Sequence, residues 1–158
     1  MIYLAFAIYA AAMIVANLTV AAFGPVVTPI NAFVLIGLDL TLRDWLHLKV
    51  KAWQMGLLIV ATGVLTYALN PAAGQIAIAS AMAFTAAALV DWGVFVKASG
   101  SWMRRANLSN VAGAAADSLI FPTLAFGALM PHIVLMQFAA KVLGGAMWSA
   151  ILKRRLVA

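Results

Sequence analysis

The chain has no cysteine, and only four of its 158 residues are acidic. Without cysteine there are no disulfides and no thiol-based metal or redox centre. Catalytic signatures are missing as well. There is no His-Glu-x-x-His pair, no Gly-x-Ser-x-Gly elbow and no glycine-rich phosphate loop. The two histidines, His47 and His132, are expected at opposite faces of a membrane. An intramembrane hydrolase or metalloenzyme is therefore not expected, and no cofactor is implied. Charge of either sign is scarce, at 9% of residues against 66% hydrophobic, and mean hydropathy is +1.08. A chain of that composition is solvated by lipid.

Long hydrophobic runs dominate what is present. They fall at about 2–23, 29–46, 52–69, 73–97, 106–129 and 131–152. A spanning helix takes about 20 apolar residues, so six spans fill most of the chain and leave only short loops. The runs are continuous, not alternating, which excludes a transmembrane β-barrel. The expected fold is all-α: one polytopic membrane domain over residues 1–158. Gly24-Pro25, Pro29, Asn70-Pro71 and Met130-Pro131 separate most runs. The second run is short and ends in the polar stretch Asp39 to Asp44, so it is expected to be tilted, broken or only partly spanning. The first run lacks a basic leader and is longer than a signal-peptide core, so it is expected to be retained as a helix.

The net charge of +6 would suggest nucleic acid in a soluble protein. Here nine of the ten Lys and Arg lie beside the runs. Arg43, Lys49 and Lys51 flank the second connection, Lys97, Arg104 and Arg105 the fourth, and Lys153, Arg154 and Arg155 form the tail. The first, third and fifth connections have none. Because positive loops stay inside, this alternation predicts six transmembrane helices with both termini cytoplasmic, in the cytoplasmic membrane. Losing one helix would put the basic loops on alternating sides. Trp45, Trp53, Trp92, Trp102 and Trp148 lie near the predicted cytoplasmic ends, as interfacial anchors do. Trp92 directly follows Asp91 and could also stack on a planar ligand. Ala77, Ala81, Ala83, Ala87, Ala112 and Ala116 give small-xxx-small spacings that let helices approach closely.

Polar residues inside the runs carry the functional signal. A charge at mid-bilayer costs roughly 2.5–3.5 kcal/mol on insertion scales, so such residues usually face a bundle interior or a wet cavity. Asn17 lies in the first run, where an interhelical hydrogen bond is its ordinary role. Asp39 and Arg43 stand four apart and can pair on one helix face, or can serve a substrate. Asp44 and His47 are expected to be solvated. Asp91 is near enough to a basic helix end to snorkel. Asn110, Gly113 and Asp117 share one stripe, expected to be a cavity wall, with Pro122 five residues beyond Asp117. Gln137 and Lys141 are also four apart, and Lys141 could neutralise Asp117 or belong to a substrate site.

Taken together, Asn17-Leu18, Asp39-Leu-Thr-Leu-Arg43 and Leu89-Val-Asp91 resemble the VUT family. So do Trp102, Arg104, Asn107, Ser109, Gly113, Asp117-Ser118, Phe121 and Lys141-Val-Leu143. These are membrane proteins described as queuosine-precursor transporters. The resemblance runs from about 14 to 150. It departs from the family pattern at Asn110, where that pattern has a hydroxyl residue, and at Gln137, where it can have an acidic one. It implies six helices and import of 7-deazaguanine bases such as 7-cyano- and 7-aminomethyl-7-deazaguanine. The chemistry suits such a ligand: its N1–H and exocyclic amine want a carboxylate, its carbonyl a donor, and its flat face an aromatic ring. On that reading Asp117 or Asp91 takes the guanine-like edge. Asn17, Asn110, Gln137 and Lys141 add polar contacts, Trp92 or Phe121 supplies stacking, and Asp39 and Arg43 complete the candidate set. The expected partners are the base and the lipid bilayer, with a homodimer one possible arrangement and nucleic acid excluded. Two other classes fit the same features. One is a substrate-binding subunit like the S-components of energy-coupling-factor transporters. The other is a membrane scaffold whose buried charges serve only assembly.

Overall fold

A computed structural model describes residues 2–47 and 49–156. Within these, nothing is specified for the side chains of Asp44, His47, Ala52, residues 102–103 and 105–106, and residues 153–156. The interfacial positions expected of Asp44, His47, Trp102, Arg105, Lys153, Arg154 and Arg155 therefore lie outside the described residues.

The described chain is helical throughout, with no strand. Helix α1 spans Ile2–Phe23 and a 3-10 turn covers Gly24–Val27. Next come α2 (Thr28–Asn31), a π-helical turn (Ala32–Ile36) and α3 (Gly37–His47). The chain continues through α4 (Ala52–Leu69), a 3-10 turn (Pro71–Ala73), α5 (Gly74–Lys97), α6 (Trp102–Phe126) and α7 (Pro131–Leu156). Residues bounding the π turn keep right-handed helical dihedrals, so Thr28 to His47 forms one uninterrupted rod. The second run is therefore whole, not broken. Its irregularity is confined to one wide turn.

Local chemistry sets the boundaries. Gly24 takes φ +69° and ends α1, a conformation that side chains with a Cβ resist. Gly127 does the same for α6 at φ +70°, which stops that helix three residues before the expected 129. The Ser101 side chain accepts a hydrogen bond from the Arg104 backbone N–H, starting α6 earlier than its apolar run suggests. Asn70 caps the turn into α5 by accepting from the Ala72 N–H at 3.1 Å. Within α6, Pro122 lacks the N–H that would bond the Ser118 carbonyl, yet the helix runs through it.

At 1.5 Å per residue, the 22 residues of α1 measure about 33 Å, close to the hydrocarbon thickness of a bilayer. Three described stretches are long and apolar enough to cross a membrane: Ile2–Arg43, Pro71–Lys97 and Pro131–Leu152. The first contains α1 and most of the α2–α3 rod. Trp53–Leu69 in α4 is a shorter apolar helix. In α6, Asn107, Ser109, Asn110 and Asp117 dilute the apolar character.

The outward surface is hydrophobic, with Leu57, Val60, Val64, Leu135 and Leu143 all exposed. Two apolar clusters lie inside. One joins Tyr9 and Met13 of α1, Leu42 and Leu46 of α3, Met55 of α4 and Phe84 of α5. The other joins Val20 of α1, Ile76 and Ala79 of α5 and Ala125 of α6. Small residues hold the helices close between them. A Cβ on Gly113 of α6 would stand 3.2 Å from the Ala87 carbonyl oxygen of α5. One on Gly37 would overlap the Gly144 backbone of α7, and one on Gly144 the Phe33 carbonyl.

Candidate functional site

A polar layer separates the two apolar clusters. Along α1 the buried residues Tyr9, Met13, Asn17 and Val20 follow one another at three- and four-residue steps, placing an amide between apolar neighbours. At that level α1, α2, the π turn, α5, α6 and α7 line a small, partly open cavity. Its polar lining is Asn17, Thr28, Asn31, Ser80, Asp117, Gln137 and Lys141. Phe84 and Phe121 are among the apolar lining residues, and Phe121 meets Phe126 edge-to-face with ring centres 6.3 Å apart. The centre of a water molecule has about 30 Å³ to move in, room for about two waters.

The charges in this layer are tightly committed. Lys141, 2% exposed, places Nζ 2.6 Å from Asp117 Oδ2. It also donates to Ser118 Oγ at 3.1 Å and to Gln137 Oε1 at 3.0 Å. An ammonium has three protons and no acceptor, so these three partners use it fully. The same fact orients Gln137. Only its oxygen can face Lys141, which turns Nε2 away. That nitrogen is buried and has no hydrogen-bond partner among the described residues.

The two asparagines differ. Asn31 donates through Nδ2 to the Ala16 carbonyl at 3.2 Å and to Thr19 Oγ1 at 2.8 Å, tying α2 to α1. Asn17 is 3% exposed and has no hydrogen-bond partner among the described residues. An amide buried without a partner is costly unless something else satisfies it. The cavity thus offers the second oxygen of Asp117 and both functions of Asn17 beside two phenyl rings, while Gln137 Nε2 is sealed among its neighbours.

Of the ten residues singled out from the sequence, five meet here: Asn17, Asp117, Phe121, Gln137 and Lys141. Asp39 and Arg43 are also buried, at 0% and 4% exposed, but neither lines this cavity. Asp39, Arg43 and Asp117 all lie within electrostatic reach of the buried Tyr9 hydroxyl. Neither Asp39 oxygen accepts a hydrogen bond from a described residue. Asp91 is partly buried, and its Cβ packs against Gly113. Trp92 lies on the outer surface at 67% exposed. Asn110 is exposed and has a partner of its own.

The stripe Asn110, Gly113, Asp117 therefore shares a face but not a depth. Seven residues displace Asn110 by about 10 Å along the helix axis from Asp117, and only Asp117 reaches the cavity. Gly113 serves the contact between α5 and α6. Sequence reasoning missed Asn31, Ser80 and Phe84. Asn31 carried a usable signal, an amide within an apolar run, as Asn17 did. No group of three or more metal-ligating side chains occurs among the described residues.

Residues 1–152 match the family described as "Putative vitamin uptake transporter". No curated protein and no solved structure is similar enough to match the chain.

Proposed function

The chain belongs to the vitamin uptake transporter family, a family of membrane proteins, and we propose that it imports queuosine precursors, 7-cyano-7-deazaguanine and related 7-deazaguanine bases, across the cytoplasmic membrane. In this reading the six rods α1, α2–α3, α4, α5, α6 and α7 each span the bilayer, and both termini are cytoplasmic. The exposed Lys49, Lys51, Lys97 and Arg104, all beside the second and fourth connections, support that orientation.

The observation that carries the proposal is the layer of uncommitted hydrogen-bonding groups inside an apolar bundle. A 7-deazaguanine presents N1–H and an exocyclic amine on one edge, which the free oxygen of Asp117 can accept. Its carbonyl is an acceptor, which Gln137 Nε2, sealed among its neighbours, can serve once the surrounding helices part. Asn17 can donate or accept beside them. Phe84 and Phe121 supply apolar surface for the flat face. Ligand pockets run to about 300–1,000 Å³, so the cavity described here is closed down. Binding a bicyclic base requires the helices around it to separate, as alternating access would.

The test is rescue of queuosine in tRNA. The host would be a bacterium that neither makes nor imports the precursor, supplied with each base in turn. Wild type should rescue, and Asp117→Asn, at equal membrane abundance, should lose most of that rescue. Rescue undiminished in Asp117→Asn would remove this cavity from the proposal. No rescue with any base, from protein verified in the membrane, would remove the substrate.

A further inference from the structure

A second polar group is buried in the bundle outside the cavity. Asp39 of α3 is 0% exposed, and neither carboxyl oxygen has a hydrogen-bond or ion-pair partner among the described residues. The Tyr9 hydroxyl of α1 is likewise buried and without a described hydrogen-bond partner. It lies within electrostatic reach of Asp39, of Arg43 and of Asp117 in the cavity wall. On α3 itself Arg43 is the charge that acts on Asp39, and it has a partner of its own. The helices packed against α3 add little. On α1 the other tyrosine, Tyr3, is exposed, and α4 brings only the exposed Tyr67. On α7 His132 is exposed, and Lys141 is already committed to Asp117, Ser118 and Gln137. Helix α5 reaches the neighbouring apolar cluster through Phe84, and carries Asp91 against Gly113 and Lys97 at its exposed end. Asp44 and His47 lie outside the described residues.

Resting on the proposed transport, we infer that Asp39 is a proton-binding site that couples import of the base to a proton gradient, with the Tyr9 hydroxyl as its hydrogen-bonding partner. A carboxylate anion sealed from water without a donor is costly, whereas the uncharged acid is not. Buried carboxyl groups of this kind serve as proton relays in membrane pumps and transporters. Tyrosine suits both forms, since its O–H donates to a carboxylate and its oxygen accepts from an acid. The step is a proton transfer alone. An O–H bond forms on Asp39 when water from outside reaches it and breaks when cytoplasmic water takes the proton, and nothing is oxidised or reduced. A metal cation fits poorly, because hard cations need several oxygen ligands and the Arg43 guanidinium repels them.

Position supplies the coupling. Ala32 and Ile36 of the α2–α3 rod line the cavity, and Asp39 and Arg43 continue that face at steps of three and four residues. Tyr9 stands on the face of α1 that carries Asn17, about 12 Å further along the axis. Parting these helices to admit a base therefore opens Asp39 to water in the same movement.

The experiment uses the purified full-length protein in proteoliposomes, with 7-cyano-7-deazaguanine as the probe. Exchange of external for internal base, without gradients, reads whether the base is carried at all. Accumulation is then measured under an imposed pH gradient, alkaline inside, with the membrane potential clamped. Wild type should accumulate the base up to about tenfold per pH unit, the limit for one proton per base. Asp39→Asn cannot exchange a proton, and should go on exchanging base but lose accumulation. Asp39→Glu should keep it. Wild type that exchanges base but ignores the pH gradient, or answers only a sodium gradient, would overturn the inference and leave the proposed function standing. So would accumulation retained by Asp39→Asn, or an Asp39→Asn protein that loses exchange and accumulation together, as a purely structural carboxyl predicts. If Asp39→Asn does not remain monodisperse, wild type decides, through its response to the gradient and through labelling by dicyclohexylcarbodiimide. That apolar reagent adds the O–H of a protonated carboxyl across its C=N bond. Mass spectrometry should find the label on Asp39, and less of it as the pH is raised; Asp39 left unlabelled would overturn the inference. Wild type that exchanges neither this base nor the 7-aminomethyl one would overturn the proposed function, and the inference with it.

Discussion

Asn17 and Asn31 line the same cavity but are bound to the protein to different degrees. Both amides of this type look alike in sequence, each a lone asparagine in an apolar run. Asn31 spends its nitrogen on the Ala16 carbonyl and the Thr19 hydroxyl, so it holds α2 against α1. Asn17 spends nothing on a described neighbour. Asn31→Ala should therefore lower the stability of the purified protein by roughly 1 kcal/mol, the scale of interhelical hydrogen bonds in membranes. Asn17→Ala should leave stability within about 0.5 kcal/mol. Its cost should appear in base affinity, about tenfold for one lost hydrogen bond of about 1.4 kcal/mol. Melting curves with and without base, run on both variants, separate the two roles. A large loss of stability in ligand-free Asn17→Ala would show that its amide works for the fold. That distinction was not readable beforehand, because commitment depends on which backbone carbonyls come within 3 Å, and sequence spacing across a turn does not say. Lys141 was more legible. Its pairing with Asp117 was one of two readings open from the sequence, and the 2.6 Å contact is that pairing.

Among the helices, the π turn and α3 cross α7 with backbones in close approach. The wide turn at Ala32–Ile36 shifts the backbone bonding, and the Val34 carbonyl accepts from Trp148 Nε1 at 2.9 Å. Thr41 Oγ1 lies 3.4 Å from the Gly145 carbonyl and 3.3 Å from Ser149 Oγ, one turn further along. Gly37 and Gly144 make the crossing possible, since a Cβ on either would meet backbone, which does not yield as a side chain can. Gly144→Ala should destabilise by roughly 1–3 kcal/mol, the cost of overpacking. Gly93→Ala, with nothing within 4 Å of the added carbon, should be neutral or gain up to about 1 kcal/mol in helix propensity. Trp148→Phe should cost about 1 kcal/mol through the unpaired Val34 carbonyl. Thermal unfolding of the three variants in one detergent tests the set, and Gly144→Ala at wild-type stability would mean the crossing is looser than described. Because Ala32 and Ile36 line the cavity while Gly37 grips α7, damage here should also weaken base binding. Sequence periodicity located the helices but not this crossing. The second run was expected to be tilted, broken or only partly spanning because it is short and ends in the polar stretch Asp39 to Asp44. Burial of Asp39 and Arg43 lets the helix continue, through a π turn that no residue pattern announces.

At the scale of the whole molecule, the chain is apolar outside and polar at its centre, the arrangement lipid favours and water does not. That inversion was legible from composition, since charges this rare in a chain this hydrophobic have nowhere else to go. The alternation of basic and uncharged connections then makes a definite statement about topology. The absence of native cysteine allows it to be tested with single introduced thiols and no background to remove. Ser99→Cys lies in the connection between α5 and α6, next to Lys97, and should react with a membrane-impermeant maleimide only after the cells are permeabilised. Ala72→Cys lies between α4 and α5, and Ala128→Cys between α6 and α7, both without a nearby basic residue. These two should react in intact cells. The pattern is sensitive to helix count: if the α2–α3 rod lay along the interface, every later connection would change sides. Ala72→Cys and Ala128→Cys would then be shielded and Ser99→Cys exposed, with α1 unmoved. The buried Asp39 and Arg43 argue against that outcome, because a rod lying in the interface would leave both charges to water instead of sealing them near Tyr9. A span of 20 residues from Thr28 to His47, about 30 Å long, is also the length a crossing requires.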